Sequence, residues 1–191
     1  VAEAVRRMKL RHAVITAVAR DDLPDGGAAH FRQTVEAVRR LNPGVVIEVL
    51  VPDFRGRDES LETVLSARPE IFNHNLETVR RLTPIVRSRA TYDRSLAVLK
   101  NAKDCGGAIN TKSGLMLGLG ETEAELLESM ADLRRAKCDI LTLGQYLQPT
   151  QCHLPVREFI PPVRFQAYGK IAQKMGFLHV ASGPMVRSSY H

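Results

Sequence analysis

Apolar residues along this chain arrive in short blocks, and helical patterns fill the gaps between them. The runs AVITAV (13–18), VVIEVLV (45–51), IFN (71–73), SGLMLGL (113–119) and DILTLGQYL (139–147) have strand length and are apolar almost throughout. Strands covered on both faces read this way. Helical spacing occupies 28–41, 59–67, 76–82, 91–104, 122–136 and 162–175. Thr122 and Glu125 form an S/T-x-x-E box ahead of the fifth of these, and Pro161-Pro162 opens the sixth, both signals of a helix start. Alternating strands and helices predict a parallel sheet with right-handed crossovers. At the very start, Val1, Val5 and Met8 share one helical face. Residue 1 therefore reads as a cut through a helix, with further sequence expected upstream.

Polar residues decide between an open doubly wound sheet and a barrel. Each strand runs out into them: Arg20-Asp21-Asp22, Pro52-Asp53, His74-Asn75 with Glu77, Gly120-Glu121, and Gln145-Tyr146 with Gln148. The return loops, LNPG, ARPE and AKC, are plainer. Barrel enzymes build their sites from the loops at the C-terminal ends of the strands. The asymmetry predicts an α/β enzyme with a partial TIM-like (βα) barrel.

Composition narrows the function classes. The 191 residues are 44% hydrophobic and 25% charged, enough for one globular domain with a sizeable core. No apolar run reaches the ~20 residues of a membrane helix. The net charge of +6 is spread over helix faces, aromatics are 5%, and there is no Trp, so neither a basic stripe nor a stacking platform for bases is expected. Cys105, Cys138 and Cys152 are far apart and form no CxxC. That spacing offers no thiolate knuckle, and the odd count suits a reducing compartment. Cys138 reads as a core residue.

Four stretches carry candidate chemistry. RDDLPDGGAAHF (20–31) is either a helix cap built on Asp25 and the glycines or a loop that binds an ammonium, a ribose hydroxyl or a hard cation. In NHNLET (73–78), Asn73 and Asn75 project to one side and His74 to the other. The asparagines suit a pocket lining; His74 suits a pocket or the core equally. TKSGLMLGLGET (111–122) has glycines at 114, 118 and 120, spacing that matches neither a P-loop nor GxGxxG but permits close approach of a ligand. GQYLQPTQCHLPV (144–156) is a long irregular exit whose Gln145, Tyr146 and Gln148 suit a polar substrate.

Taken together, DDLPDGGAAHF, IEVLVPDFRG, IFNHNLETV, KSGLMLGLGET, CDILTLGQYLQP and the terminal GPMVRSSYH resemble the lipoyl synthases, a radical S-adenosylmethionine (radical SAM) family. The resemblance runs from about residue 4 to the end. It implies a partial barrel of six βα units, here lacking the first strand. It implies one truncated barrel domain over 1–191, in which 177–191 is a C-terminal extension carrying the RSSY motif. It implies a sulfurtransferase of lipoate biosynthesis that inserts two sulfur atoms into an octanoyl chain on a lipoyl-domain or glycine-cleavage carrier protein. The implied cofactors are S-adenosyl-L-methionine and two 4Fe-4S clusters, with cluster cysteines in an N-terminal region that this chain does not contain. The chain alone is accordingly not expected to turn over.

Carried over by position, Ser189 is the metal ligand on the auxiliary cluster and a catalytic residue, and Arg187 orients the substrate or the cluster. Asp21 and Asp22 match the methionyl amine site, while Asn75, Gly118, Gly120 and Glu121 match the ribose and adenine sites. A cytoplasmic monomer that binds neither nucleic acid nor membrane is expected. The competing readings are a non-catalytic barrel remnant that binds a protein or nucleic acid, and a metal-dependent barrel lyase using Asp21, Asp22 and His74.

Overall fold

The computed structural model describes residues 1–190; His191, the last residue of the expected 177–191 extension, lies outside the described residues. The elements run α1 (Ala2–Arg7), β1 (His12–Thr16), α2 (Ala28–Leu41), β2 (Val46–Leu50), α3 (Asp58–Ser66), β3 (Ile71–Asn73), α4 (Thr83–Val86), α5 (Tyr92–Cys105), β4 (Asn110–Leu117), α6 (Glu123–Arg135), β5 (Ile140–Gln145), α7 (Pro162–Lys174) and β6 (His179–Ser182). The six strands form one sheet in the order β1-β2-β3-β4-β5-β6. Every pairing is parallel, in registers such as Ala13↔Ile47, Val49↔Phe72, Asn73↔Lys112, Leu115↔Leu143 and Leu141↔Val180. A doubly wound sheet reverses its strand order at a switch point. This one never reverses, so it is the wall of a partial barrel.

Side chains alternate along each strand. Ala13, Ile15, Ile47, Val49 and Phe72 join one apolar cluster with Val35 and Val38 of α2 and Val64 of α3. Leu115, Leu117, Leu141 and Leu143 join a second, with Leu126, Met130 and Leu133 of α6 and Phe165 of α7. The alternate positions are mixed: Glu48, Asn73, Lys112 and Thr142 are equally buried but polar, beside the apolar Ile71 and Ile140. The expectation of strands apolar almost throughout is corrected accordingly: the helix-facing side is apolar, and the barrel interior carries buried polar and charged residues as well as apolar ones.

Two further expectations change. Residues 76–82 form no helix, although Leu76, Val79 and Leu82 are buried at helical spacing. Glu77 takes φ +71° and extends the sheet: its N–H donates to the Gly114 carbonyl and its carbonyl accepts from Met116. Tertiary pairing outweighs local periodicity there, and the helix waits until α4. The sixth strand, HVAS, is too polar and short to stand out in the sequence.

Helix starts follow their local chemistry. Asp25 accepts from the N–H groups of Gly27 and Ala29 at 2.9 and 2.8 Å, and those two bonds hold its carboxyl below the usual range. The capping box of Thr122 and Glu125 is complete in both directions. Cys138 is sealed in the core, and burial pushes its thiol up to about 12. Phe165 is fully buried while Phe159 is 70% exposed. Phe165→Ala is expected to cost roughly 3–5 kcal/mol in urea denaturation, and Phe159→Ala to stay within about 0.5 kcal/mol.

Candidate active site

The barrel interior holds an ion pair closed off from solvent. Lys112 on β4 and Glu48 on β2 both have fully buried side chains. The Lys112 ammonium has three donors and three acceptors: Glu48 Oε1 at 2.9 Å, Oε2 at 3.0 Å, and the Tyr190 carbonyl at 2.7 Å. Asn73 Nδ2 donates to Glu48 at 2.7 Å and to the Ser188 carbonyl at 3.3 Å. His12 Nε2 lies 3.3 Å from Glu48. The C-terminal segment is thus tied to the interior by its backbone.

Beside this cluster opens a cavity of about 270 Å³, lined by residues that include Asn75, Glu77, Gly114, Thr142, Arg187 and Ser188. Asn75 donates to Glu77 at 3.1 Å, while its Oδ1 is buried without a hydrogen-bond partner among the described residues. Burial raises the Glu77 carboxyl above its usual range, against the opposing effects of Asn75 and the Arg87 charge. Gly114 is required by close approach: a methyl there would lie 2.7 Å from Thr142 Oγ1 and 3.0 Å from Asn75 Oδ1. At Gly144 a methyl would lie 2.3 Å from the Val186 carbonyl, so only glycine lets the C-terminal segment run against β5.

His74 faces away from the cavity. Its Nδ1 is 2.9 Å from the Val51 carbonyl, and its Nε2 is 3.0 Å from Ser95 Oγ. Arg87 donates to the same hydroxyl at 2.8 Å and to the Asn75 carbonyl at 3.2 Å. A carbonyl only accepts, so Nδ1 carries the proton, Nε2 accepts from Ser95, and Ser95 accepts from Arg87. Burial lowers His74 to about 4 and lowers Arg87 as well. His74 is therefore a satisfied interior histidine that braces the Asn75 loop through Ser95 and Arg87.

The other expected site residues are placed as follows. Asp21 lies between Arg55 at 3.4 Å and Arg89 at 3.2 Å. Asp22 pairs with Arg20 at 2.6 Å, which holds its carboxyl below the usual range. Glu121 accepts from the N–H groups of Gly118 and Leu119 at 2.6 and 2.9 Å, and the Gly118 carbonyl accepts from Arg157 at 2.8 Å. A side chain at Gly120 would face Arg157. Asn75, Arg187 and Ser188 thus share one cavity, whereas Asp21, Asp22, Gly118, Gly120 and Glu121 do not line it and engage partners elsewhere. Gln145 lines the cavity but is pinned by Tyr146, Glu158 and Ile160. The Tyr146 hydroxyl donates to the Leu154 carbonyl and Gln148 to that of His153. Ser189 is exposed, in a turn closed by the Tyr190 N–H on the Arg187 carbonyl at 2.9 Å. Glu77 and Lys112 were not singled out as site residues by sequence. Glu77 showed only as a polar strand exit; Lys112, beside a buried run, carried no signal.

The cavity fits a ligand with hydroxyl or ammonium donors, because a partnerless acceptor and a half-buried carboxyl face it. The described residues alone do not make up an iron–sulfur site: no group of three or more His, Cys, Asp or Glu among them is placed to hold a metal ion. Cys105 and Cys152 are exposed and separate from the buried Cys138.

The description of the radical SAM superfamily matches residues 1–133. Lipoyl synthases from Caldanaerobacter subterraneus subsp. tengcongensis and Rubrobacter xylanophilus are each 56% identical over all 191 residues, and one from Geobacillus thermodenitrificans is 59% identical. The chain belongs to the lipoyl synthase family. It spans 67%, 60% and 64% of those three relatives. Among solved structures, a methylornithine synthase aligns with 94% of this lipoyl synthase family chain and 60% of its own, at TM-score 0.63 and 13% identity. A phosphonomutase-like protein from Burkholderia cenocepacia aligns with 96% of this chain and 82% of its own, at TM-score 0.55 and 12% identity. At those identities the likeness concerns the fold alone.

His74 has a pH consequence for this family member. The unfolded histidine binds its proton near pH 6.5 and the folded one near 4, so the unfolded state gains protons first as pH falls. Stability is complete above about pH 6.5 and falls by on the order of 3 kcal/mol towards pH 4. Urea midpoints at pH 7 and pH 4.5, compared between the parent and His74→Gln, are expected to show a shallower pH dependence in the variant.

Proposed function

We propose that this chain is the barrel and C-terminal segment of a lipoyl synthase that inserts two sulfur atoms into a protein-bound octanoyl chain. The observation that supports this reading is the unbroken identity of 56–59% with lipoyl synthases across every residue of the chain. The carrier would be an octanoylated lipoyl-domain or glycine-cleavage protein, met by a monomer in the cytoplasm. The cysteines that hold both 4Fe-4S clusters would come from sequence this chain does not contain, as it has three cysteines and no CxxxCxxC.

S-adenosylmethionine, when bound, supplies the radical that removes hydrogen from unactivated carbon. The chain's own residues do the binding and shielding. Asn75 Oδ1 accepts a hydrogen bond that none of the described residues provides. Glu77, half-buried beside it, accepts a second from a hydroxyl or ammonium. Gly114 lets the ligand's polar edge approach β4, and Thr142 stands across from it. Val186, Arg187 and Ser188 form one wall of the cavity, and the partial shielding they give a bound ligand strengthens the polar contacts inside. By family resemblance Ser189, at the end of that wall, would supply one oxygen ligand to the auxiliary cluster. Oxygen binds iron less softly than thiolate does, which suits a cluster that must give up sulfur.

The test is anaerobic turnover of the full-length protein, carrying its cluster cysteines, with an octanoylated lipoyl-domain peptide and mass analysis of the product. Addition of two sulfur atoms is expected, and an unmodified octanoyl chain would sink the proposal. Asn75→Ala is expected to weaken S-adenosylmethionine about tenfold by titration, the loss of roughly 1.4 kcal/mol of hydrogen bonding. Ser189→Ala is expected to stop sulfur insertion; unchanged turnover would remove Ser189 from the ligand set.

A further inference from the structure

The reading above leaves the Glu48–Lys112 pair unused, although it is the most deeply buried charge in the barrel. Such pairs seldom add stability: well-packed apolar residues of similar volume do as well or better. What an apolar pair could not do is reach the C-terminal segment. Alternate carbonyls of that segment are engaged in turn. Pro184 accepts from the Gln145 N–H at 3.4 Å, and Val186 lies against Gly144. Ser188 accepts from Asn73 at 3.3 Å and Tyr190 from Lys112 at 2.7 Å. Donors on β5, β3 and β4 therefore hold the strap at Pro184, Ser188 and Tyr190, while Val186 packs against β5 at Gly144. The Arg187 and Ser188 positions on the cavity wall follow from where those carbonyls are fixed.

We infer that Glu48 and Lys112 are positioning residues: the sealed pair, with Asn73, latches the 186–190 strap across the barrel and so builds one wall of the ligand cavity. Glu48 holds the ammonium by both carboxylate oxygens and leaves its third donor for Tyr190. The latch rests on the proposed function only for what the cavity binds.

The test uses the full-length enzyme with Lys112→Met and with the doubly neutral Glu48→Gln/Lys112→Met, which strands no charge. Trypsin cleavage after Arg187, read by mass, reports strap release, and hydrogen exchange compares the strap with β2 to β4. Cleavage at Arg187 and exchange in the strap are expected to rise about tenfold in the double variant while strand protection stays at the parent level. A merely structural pair would loosen the strands and strap together, and that result, or an unchanged cleavage rate, overturns the inference. Loss of fold in the double variant overturns it as well. An unaltered enzyme that fails to insert sulfur sinks the lipoyl synthase reading and leaves the latch result standing.

Discussion

Hydrogen bonding inside the barrel is the constraint on which this structure depends. A parallel sheet covered by helices on its outer side has one face left, and that face points inward. The outer face is filled by dispersion and burial among Val, Leu, Ile and Phe, where shape tolerance is wide. The inner face includes Glu48, Asn73, Lys112 and Thr142, and a buried polar atom without a partner costs about 1–3 kcal/mol. Each of these residues must therefore find its partners, and two of those partners are carbonyls at the far end of the chain. The site is thus continuous with the core: the same network that satisfies the interior sets the cavity wall.

Exceptions to that rule are informative. Asn75 Oδ1 sits in the cavity with no donor among the described residues, and the half-buried Glu77 beside it has one amide and a nearby guanidinium for support. A folded protein tolerates such groups where something else completes them. The glycines at 114 and 144 belong to the same logic from the opposite side. Each removes a methyl that would otherwise fill the space a backbone or an asparagine requires.

Much of this was legible in sequence. Strand and helix alternation marks the parallel sheet, the polar strand ends mark the barrel, the Thr122–Glu125 box places α6 and Cys138 reads as core; of the two readings open for the Asp25 loop, the structure shows the helix cap. In the NHNLET stretch alternation separates Asn73 and Asn75 from His74, since it is purely local along an extended chain, but it leaves open whether His74 meets the pocket or the core. What sequence could not show was long-range. Residues 76–82 look helical until the Gly114 and Met116 partners are known. Asp21, Asp22 and Glu121 look like open ligands until Arg55, Arg89, Arg20 and their own backbone amides are seen to occupy them. Lys112, between Thr111 and Ser113, gives no hint of its partner 64 residues away. Periodicity encodes which way a side chain points, not whom it meets.

The directional chain from Arg87 through Ser95 to His74 and the Val51 carbonyl carries a consequence for how the family can diverge. Each member accepts from the one before and donates to the one after, so polarity runs a single way and no member can be exchanged alone. An alanine at 95 would leave an imidazole nitrogen and a guanidinium facing each other across a gap; a phenylalanine at 74 would leave the hydroxyl with nothing to donate to. Positions 74, 87 and 95 are expected to be inherited as a block, changing together or not at all.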